Sequence, residues 1–200
     1  MKPRSALIFF SAILACGVYL LSAVLAYGRY PLPYSPLSNW LSDLGDRSVN
    51  IVGAIYYNVG IIIVAVLLLG WFLGLTAWRD KTRKLQPWLL RIAQVAGGLG
   101  ALAVAMSAVF PIDLFQLHAF WSKAHYMMLA MGFGFSVAAL AQNRRFPRLL
   151  LYIGTLAAFS PLATLIAGNV YWMEWVSVGL FLLYVMSVGV SSARQGKELA

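Results

Sequence analysis

Charged residues are scarce in this sequence. Only 10% of its 200 residues are Asp, Glu, Lys or Arg, whereas 62% are hydrophobic. A soluble domain of this length needs more polar surface than that, so a water-soluble globular protein is excluded. Cysteine is scarcer still, because Cys16 stands alone. An intrachain disulfide is therefore excluded as well.

What the sequence has instead is a series of long apolar segments. About 20 apolar residues span the hydrocarbon core of a bilayer, which is roughly 30 Å thick. Backbone groups in lipid must bond within their own segment, so each segment is predicted to be a helix. We predict an all-α integral membrane protein, a single domain over residues 1–200 with six transmembrane helices. Their predicted ranges are 6–27, 51–78, 88–110, 120–141, 149–170 and 175–192.

Most basic residues lie before the first segment, in alternate connections and after the last. They are Lys2, Arg4, Arg79, Lys81, Arg83, Lys84, Arg144, Arg145, Arg148, Arg194 and Lys197. By the positive-inside rule, both termini are predicted to be cytoplasmic. The predicted membrane orientation thus explains most of the net charge of +9. Nucleic acid is therefore not an expected partner. A cleaved signal peptide is the alternative for the first segment, but its apolar stretch exceeds the usual core of about 7–15 residues.

The connection between the first two segments is unusually polar. It reads YSPLSNWLSDLGDRSVN over residues 34–50. Ser35 is a residue type preferred at a helix N-cap, and Pro36 is one preferred at the first helical position. Gly45 is the type preferred just past a helix end. An apolar stripe at helical spacing runs through it: Leu37, Trp40, Leu41 and Leu44. We expect a short amphipathic helix lying at the extracytoplasmic interface.

Other extracytoplasmic connections bring ionisable groups to the same membrane face. The stretch FPIDLFQLHAFWSKAHY contributes Asp113, His118 and His125, and Glu174 lies near the start of the last segment. Ionisable groups at the membrane boundary are costly, so a functional role is the default interpretation.

We therefore predict a polar pocket at this face that binds or acts on a lipid or other amphiphile. Asp43, Asp113 and His125 are the candidate catalytic residues, with His125 as general base and Asp113 as its orienting partner. Hydrolysis or transfer at a lipid ester, amide or phosphate is the chemistry that suits such a set. The candidate substrate-binding residues are Ser38, Asn39, Ser42, His118 and Glu174.

A divalent metal such as zinc is an open alternative. On one helix, the seven-residue spacing of His118 and His125 separates them by about 10 Å along the axis. Zinc bonds are only about 2 Å long, so the two histidines would not share one ion. A metal would instead need His125 together with Asp113 and Asp43.

Two non-catalytic interpretations also remain. One is a lipid-binding accessory protein, and the other is a small transporter. Transport predicts polar groups near the bilayer midplane, where the sequence offers few: Asn58, Gln94, Ser107 and Thr164. A purely structural polar edge would have no enclosed cavity behind it.

Three short motifs carry a resemblance to a known family. They are the polar segment with Ser42, Leu44 and Gly45, the FPID turn of 110–113, and His125 entering the fourth helix. Nearly the whole chain resembles the prokaryotic six-helix membrane family known as domain of unknown function 998. It is remotely similar to the eukaryotic Frag1, DRAM and Sfk1 group. The resemblance implies a six-helix fold, a prokaryotic plasma membrane and a site near His125, but no particular reaction.

Overall fold

The structure, a computed structural model, describes residues 1–168 and 170–198. The six predicted segments all form helices, and no strand occurs in the described part of the chain. The long helices are α1 Pro3–Tyr27, α2 Gly53–Gly74, α3 Gln86–Val109, α4 Phe115–Leu140, α5 Arg148–Ala167 and α6 Tyr171–Glu198. Short 3-10 helices occur at Leu41–Gly45, Leu75–Trp78 and Ile112–Leu114. The predicted all-α fold is confirmed.

The helices form a closed ring. Each packs against its neighbours in sequence, and α1 packs against α6. We call the end that holds residues 28–52 the cap end. The opposite end, which holds the α2–α3 and α4–α5 connections, is called the basic end. Residues 28–52 form the cap segment, and its 3-10 helix Leu41–Gly45 is the cap helix.

Small residues set the closest helix–helix approach, between α3 and α4. A Cβ atom added to Gly132 would lie 2.9 Å from the Gly97 Cα, so neither position has room for a side chain. Gly100 is in the same situation against Leu129. Close backbone approach at small residues is the usual way in which membrane helices associate.

Five of the six long helices are long and apolar enough to cross a membrane, and α4 is the one that falls short. Gly134 of α4 lies opposite Ala158, and Val137 opposite Gly154, so the two helices are antiparallel. Continuing this register brings Ala167, the end of α5, level with about residue 125 of α4. Residues 115–124 therefore extend beyond α5 at the cap end, and they include the polar residues Gln116, His118, Ser122 and Lys123.

The cap segment differs from the predicted amphipathic helix. The expected N-cap at Ser35 and helix from Pro36 are wrong, because residues 35–39 form a single turn closed by the Asn39 N–H donating to the Ser35 carbonyl at 2.9 Å. The short helix begins only at Leu41 and includes Gly45. The apolar stripe divides accordingly: Leu41 and Leu44 are buried, whereas Leu37 is 79% exposed.

Candidate functional site: a cavity beneath the cap helix

The cap helix is held over the ring by buried and half-buried side chains from α2 and α6. The Leu41 N–H donates to Glu174 Oε2 at 2.7 Å, and the Trp175 indole N–H donates to the Asn39 carbonyl at 3.0 Å. Asn58 Nδ2 donates to the Gly45 carbonyl at 2.9 Å. These bonds attach both ends of the cap helix to the bundle.

Asn50 fixes the connection from the cap helix into α2. Its side chain is fully buried. Nδ2 donates to the carbonyls of Ala26 and Leu44 at 3.1 and 2.9 Å, and Oδ1 accepts from the Gly53 N–H at 3.1 Å. One amide thus joins the end of α1, the cap helix and the start of α2.

A cavity of about 120 Å³ lies inside the ring beneath the cap helix. The cap helix and every long helix except α5 line it. Polar side chains surround its upper part: Tyr19, Ser42, Tyr57, Asn58, Ser107, His118, Ser122, His125, Tyr126 and Glu174. Apolar side chains such as Leu68, Phe133 and Val185 form its lower part. The cavity is therefore polar toward the cap and apolar toward the middle of the bundle.

Aromatic packing closes the lower end of the cavity. Phe133 is fully buried, and its ring centroid lies 5.9, 5.5 and 5.6 Å from those of Trp71, Phe72 and Tyr184. The Tyr184 hydroxyl is hydrogen-bonded to Ser136 at 2.9 Å. This dry cluster separates the cavity from the basic end.

His118 is fixed by the end of α3. Its Nδ1 lies 3.0 Å from both the Ser107 and the Phe110 carbonyl oxygens. The Ser107 carbonyl would normally accept from the N–H four residues later, but that residue is Pro111, which has none. Because carbonyl oxygens only accept, Nδ1 must carry a proton. Nε2 of a neutral His118 is then a free acceptor.

His125, two turns further along α4, is in the opposite situation. Its Nδ1 atom is buried and has no hydrogen-bond partner among the described residues. A buried polar atom without a partner costs about 1–3 kcal/mol. Such an atom on a cavity wall calls for a ligand group or ordered water there.

A protein-family model matches most of the chain. The family model described as "Protein of unknown function (DUF998)" matches residues 13–192. The chain belongs to that family. No curated protein matches the chain, and no solved structure matches it.

The DUF998 motifs that carry the sequence resemblance all lie at the cap end. Ser42, Leu44 and Gly45 belong to the cap helix. Pro111 ends α3 and creates the need for the His118 hydrogen bond described above, while His125 lies on the cavity wall. The family resemblance and the cavity thus coincide in space.

The structure divides the eight predicted site residues into two groups. Ser42, His118, His125 and Glu174 line the cavity. Ser38, Asn39, Asp43 and Asp113 do not, so of the three predicted catalytic residues only His125 is on its wall. The catalytic and binding roles themselves stay predictions.

Asp43 serves the cap segment itself. Its carboxylate accepts from the Trp40 N–H at 3.1 Å and from Asn39 Nδ2 at 3.3 Å, so it binds the residues just before the cap helix. Partial burial raises the pKa of Asp43, although these two hydrogen bonds oppose the shift. Ser38 contacts only its neighbours, donating to Asn39 Oδ1 at 2.9 Å and bonding Ser35 at 2.8 Å.

Asp113 forms an ion pair rather than orienting His125. Its carboxylate accepts two bonds from Arg47, at 3.1 Å from Nε and 2.7 Å from Nη2. The Arg47 guanidinium holds the pKa of Asp113 below its usual range. In the described residues, no group of three or more His, Cys, Asp and Glu side chains is placed to hold a metal ion. The predicted set of His125, Asp113 and Asp43 therefore does not assemble.

Six polar wall residues were not predicted as site residues: Tyr19, Tyr57, Asn58, Ser107, Ser122 and Tyr126. Ser122 had a usable signal, because it shares a helix face with His118 and His125 at spacings of four and three residues. Tyr19 and Tyr57 lie in apolar segments, where nothing distinguishes a cavity-facing tyrosine from one that faces lipid.

Proposed function

We propose that this multi-pass membrane protein binds a lipid or other amphiphile whose polar group enters the cavity beneath the cap helix. The proposal depends above all on the buried, unpartnered Nδ1 of His125. Retaining such an atom is unfavourable unless a bound group completes its hydrogen bonding.

The charge of the wall limits what that group can be. Glu174 is the one carboxylate among the lining residues, and none of them is Lys or Arg. An anionic phosphate would be desolvated in this cavity with no compensating cation on the wall. A hydroxyl, amide or amine suits the cavity better, because the free lone pair of a neutral His118 and the carboxylate of Glu174 both accept hydrogen bonds.

The size and polarity gradient of the cavity favour an amphiphile. A volume of about 120 Å³ is below the range of about 300–1,000 Å³ usual for the site of a whole drug-sized ligand. It accommodates a head group or a short chain segment and not a whole lipid. The apolar lower part would take the methylene groups next to the head group.

Hydrolysis or acyl transfer is the second candidate function. It is favoured by His118, whose fixed Nδ1–H leaves Nε2 free as a base, together with two serines on the same wall, Ser42 and Ser122. No serine–histidine hydrogen bond joins them in the described structure. Binding is therefore the function that the geometry supports better.

The proposed setting is a prokaryotic plasma membrane with both termini in the cytoplasm. The basic residues of the α2–α3 and α4–α5 connections support this orientation through the positive-inside rule. The cap end would then face the extracytoplasmic side, and its ligand would come from the outer leaflet.

Lipid analysis of the purified protein tests the proposal. Wild type, His125→Leu and Met127→Leu are purified in mild detergent, and co-purified lipids are identified by mass spectrometry. Met127 lies on the same helix, is 52% exposed and does not line the cavity, so it is the matched control. We expect one lipid class to be retained by wild type and control and lost from His125→Leu. The same lipids in all three proteins would contradict the proposal.

The retained lipid class also tests catalysis. Incubating wild type and His118→Gln with that lipid, and searching for cleavage or transfer products, separates binding from chemistry. Product formed by wild type and not by the variant would favour the enzyme, whereas unchanged lipid would leave binding as the function.

A further inference from the structure

A second pocket, separate from the cavity, lies at the basic end. It has a volume of about 720 Å³, within the range of about 300–1,000 Å³ usual for ligand sites. Four separate parts of the chain contribute to its wall: Lys2 before α1, the α2–α3 connection, the α4–α5 connection and Gln195 near the end of α6. The pocket therefore lies where these four parts of the chain meet.

The wall of this basic pocket is strongly cationic. Its charged members are one carboxylate, Asp80, and six cations: Lys2, Arg79, Lys81, Arg83, Arg144 and Arg145. The positive-inside rule accounts for cations at this end, but it does not require them to line one concave site. Two neighbouring cations lie outside the pocket: Lys84 of the α2–α3 connection and Arg148, the first residue of α5.

The backbone that carries these cations is held rigidly. Gln86 is fully buried. Its Nε2 donates to the carbonyls of Trp78 and Ala139 at 3.2 and 3.0 Å, and its Oε1 accepts from the Asp80 N–H at 2.6 Å. Asn143 Nδ2 adds a bond to the Trp78 carbonyl at 2.9 Å. The two basic connections are thus joined before any ligand binds.

Two details show that the pocket has unused capacity for an anion. Asp80 Oδ1 already accepts from the Thr82 hydroxyl and N–H, at 2.6 and 2.9 Å. Arg83 Nε is buried and has no hydrogen-bond partner in the described part of the chain. A guanidinium N–H without a partner is a strong donor for a phosphate or carboxylate oxygen.

We infer that the basic pocket binds the phosphate group of an anionic membrane lipid, with Arg83 as its innermost contact. The pocket lies at the membrane-proximal end of the helices, where basic pockets between helices bind anionic head groups. This inference is independent of the ligand in the cavity. It also gives the two ends of the bundle different lipid preferences.

Matched pairs of charge-removing variants test the inference. Arg79→Gln/Arg145→Gln removes two exposed wall cations, and Lys84→Gln/Arg148→Gln removes two exposed cations outside the pocket. Binding is measured as thermal stabilisation of the purified protein in detergent titrated with phosphatidylglycerol. Phosphatidylcholine and inorganic phosphate are titrated separately. A wall cation beside the bound phosphate should contribute roughly five-fold in affinity. The wall variant, which loses two of them, should therefore bind phosphatidylglycerol about 25-fold more weakly. The control variant should bind like wild type.

Three outcomes would overturn the inference. Equal weakening in both double variants would mean that diffuse surface charge attracts the lipid. Equal stabilisation by phosphatidylcholine would remove the requirement for an anion. Stabilisation by inorganic phosphate that matches phosphatidylglycerol would make this a site for the free ion. Arg83→Gln adds a check on the inner contact, since it should weaken phosphatidylglycerol binding more than Lys84→Gln does.

Discussion

A buried amide organises each end of the bundle. Asn50 at the cap end and Gln86 at the basic end are both fully buried, and each joins three parts of the chain through three hydrogen bonds. The pockets beside them differ in charge. The cavity beneath the cap helix is lined by one carboxylate and no Lys or Arg, whereas the basic pocket has six cations. The same structural device therefore supports two sites of different electrostatic character.

The two pockets also differ in how deeply they reach into the bundle. The cavity reaches from the cap helix to the aromatic cluster around Phe133 in the interior of the ring. The basic pocket is formed by connections and termini at the end of the ring. A group that enters the cavity must lose its water, whereas a head group in the basic pocket remains near the membrane surface. We therefore expect stricter chemical selection at the cap end.

Replacing either buried amide should have the largest effect. In Gln86→Leu and Asn50→Leu, buried carbonyl and N–H groups lose their partners, and the free energy of unfolding should fall by about 2–3 kcal/mol. Gln94→Leu is the control, because Gln94 is only partly buried and bonds carbonyls within α2. Unfolding titrations in detergent measure all three. A loss of stability in only one of the two variants would show that the two amides are not equivalent.

The two histidines should respond in opposite directions to the same substitution. His118→Leu leaves the Ser107 and Phe110 carbonyls without this donor, so the free energy of unfolding should fall by about 1–2 kcal/mol. His125→Leu removes an unpartnered atom, and its ligand-free stability should be unchanged or higher. Thermal unfolding of delipidated protein compares them. Equal losses would mean that Nδ1 of His125 has a structural partner after all.

Substitution of Glu174 should change hydrogen exchange only at the cap helix. Glu174→Ala removes the acceptor for the Leu41 and Ser42 N–H groups, and their hydrogen exchange should become faster by roughly ten-fold. Glu174→Gln keeps one acceptor oxygen and should exchange more slowly than Glu174→Ala. Exchange at the basic end, for example at the Asp80 N–H bonded to Gln86, should not change in either variant.

Substitution of Asp113 should have the smallest effect on stability at neutral pH. Its ion pair with Arg47 is exposed, and exposed pairs contribute little. Because the pKa of Asp113 is lower in the folded state, its contribution is present above the unfolded value of about 3.9. It is lost as the pH falls through the folded pKa. Asp113→Asn should therefore remove part of the acid-side loss of thermal stability while leaving the melting temperature at pH 7 nearly unchanged.

The sequence predicted the helices well and the site only partly. Long apolar segments leave the backbone no alternative in lipid, so all six helices could be located from hydropathy. The cap segment was harder, because Ser35, Pro36 and Gly45 match helix-end preferences that tertiary contacts override. Glu174 and Trp175 hold residues 39–42 in place from 132 to 136 positions away in sequence, and no local pattern reveals such contacts.

The positions of Asp43 and Asp113 off the cavity wall have a similar cause. Both are acidic residues at the expected membrane face, but nearby partners satisfy their carboxylates: Trp40 and Asn39 for Asp43, and Arg47 for Asp113. The partners available to a side chain, rather than its charge, decide whether it faces a cavity. His118, in contrast, has a position that the sequence signals. Pro111 has no backbone N–H, so the Ser107 carbonyl lacks its usual donor and a nearby side chain such as His118 has to supply one.

The central claim is that the cavity beneath the cap helix holds the polar group of an amphiphile. A density map of the protein in lipid nanodiscs, at a resolution that separates side chains, tests it most directly. We predict an elongated density that begins about 3 Å from Nδ1 of His125 and continues toward Phe133. Only isolated water-sized density beside His125, with the remainder of the cavity filled by protein side chains, would contradict the account.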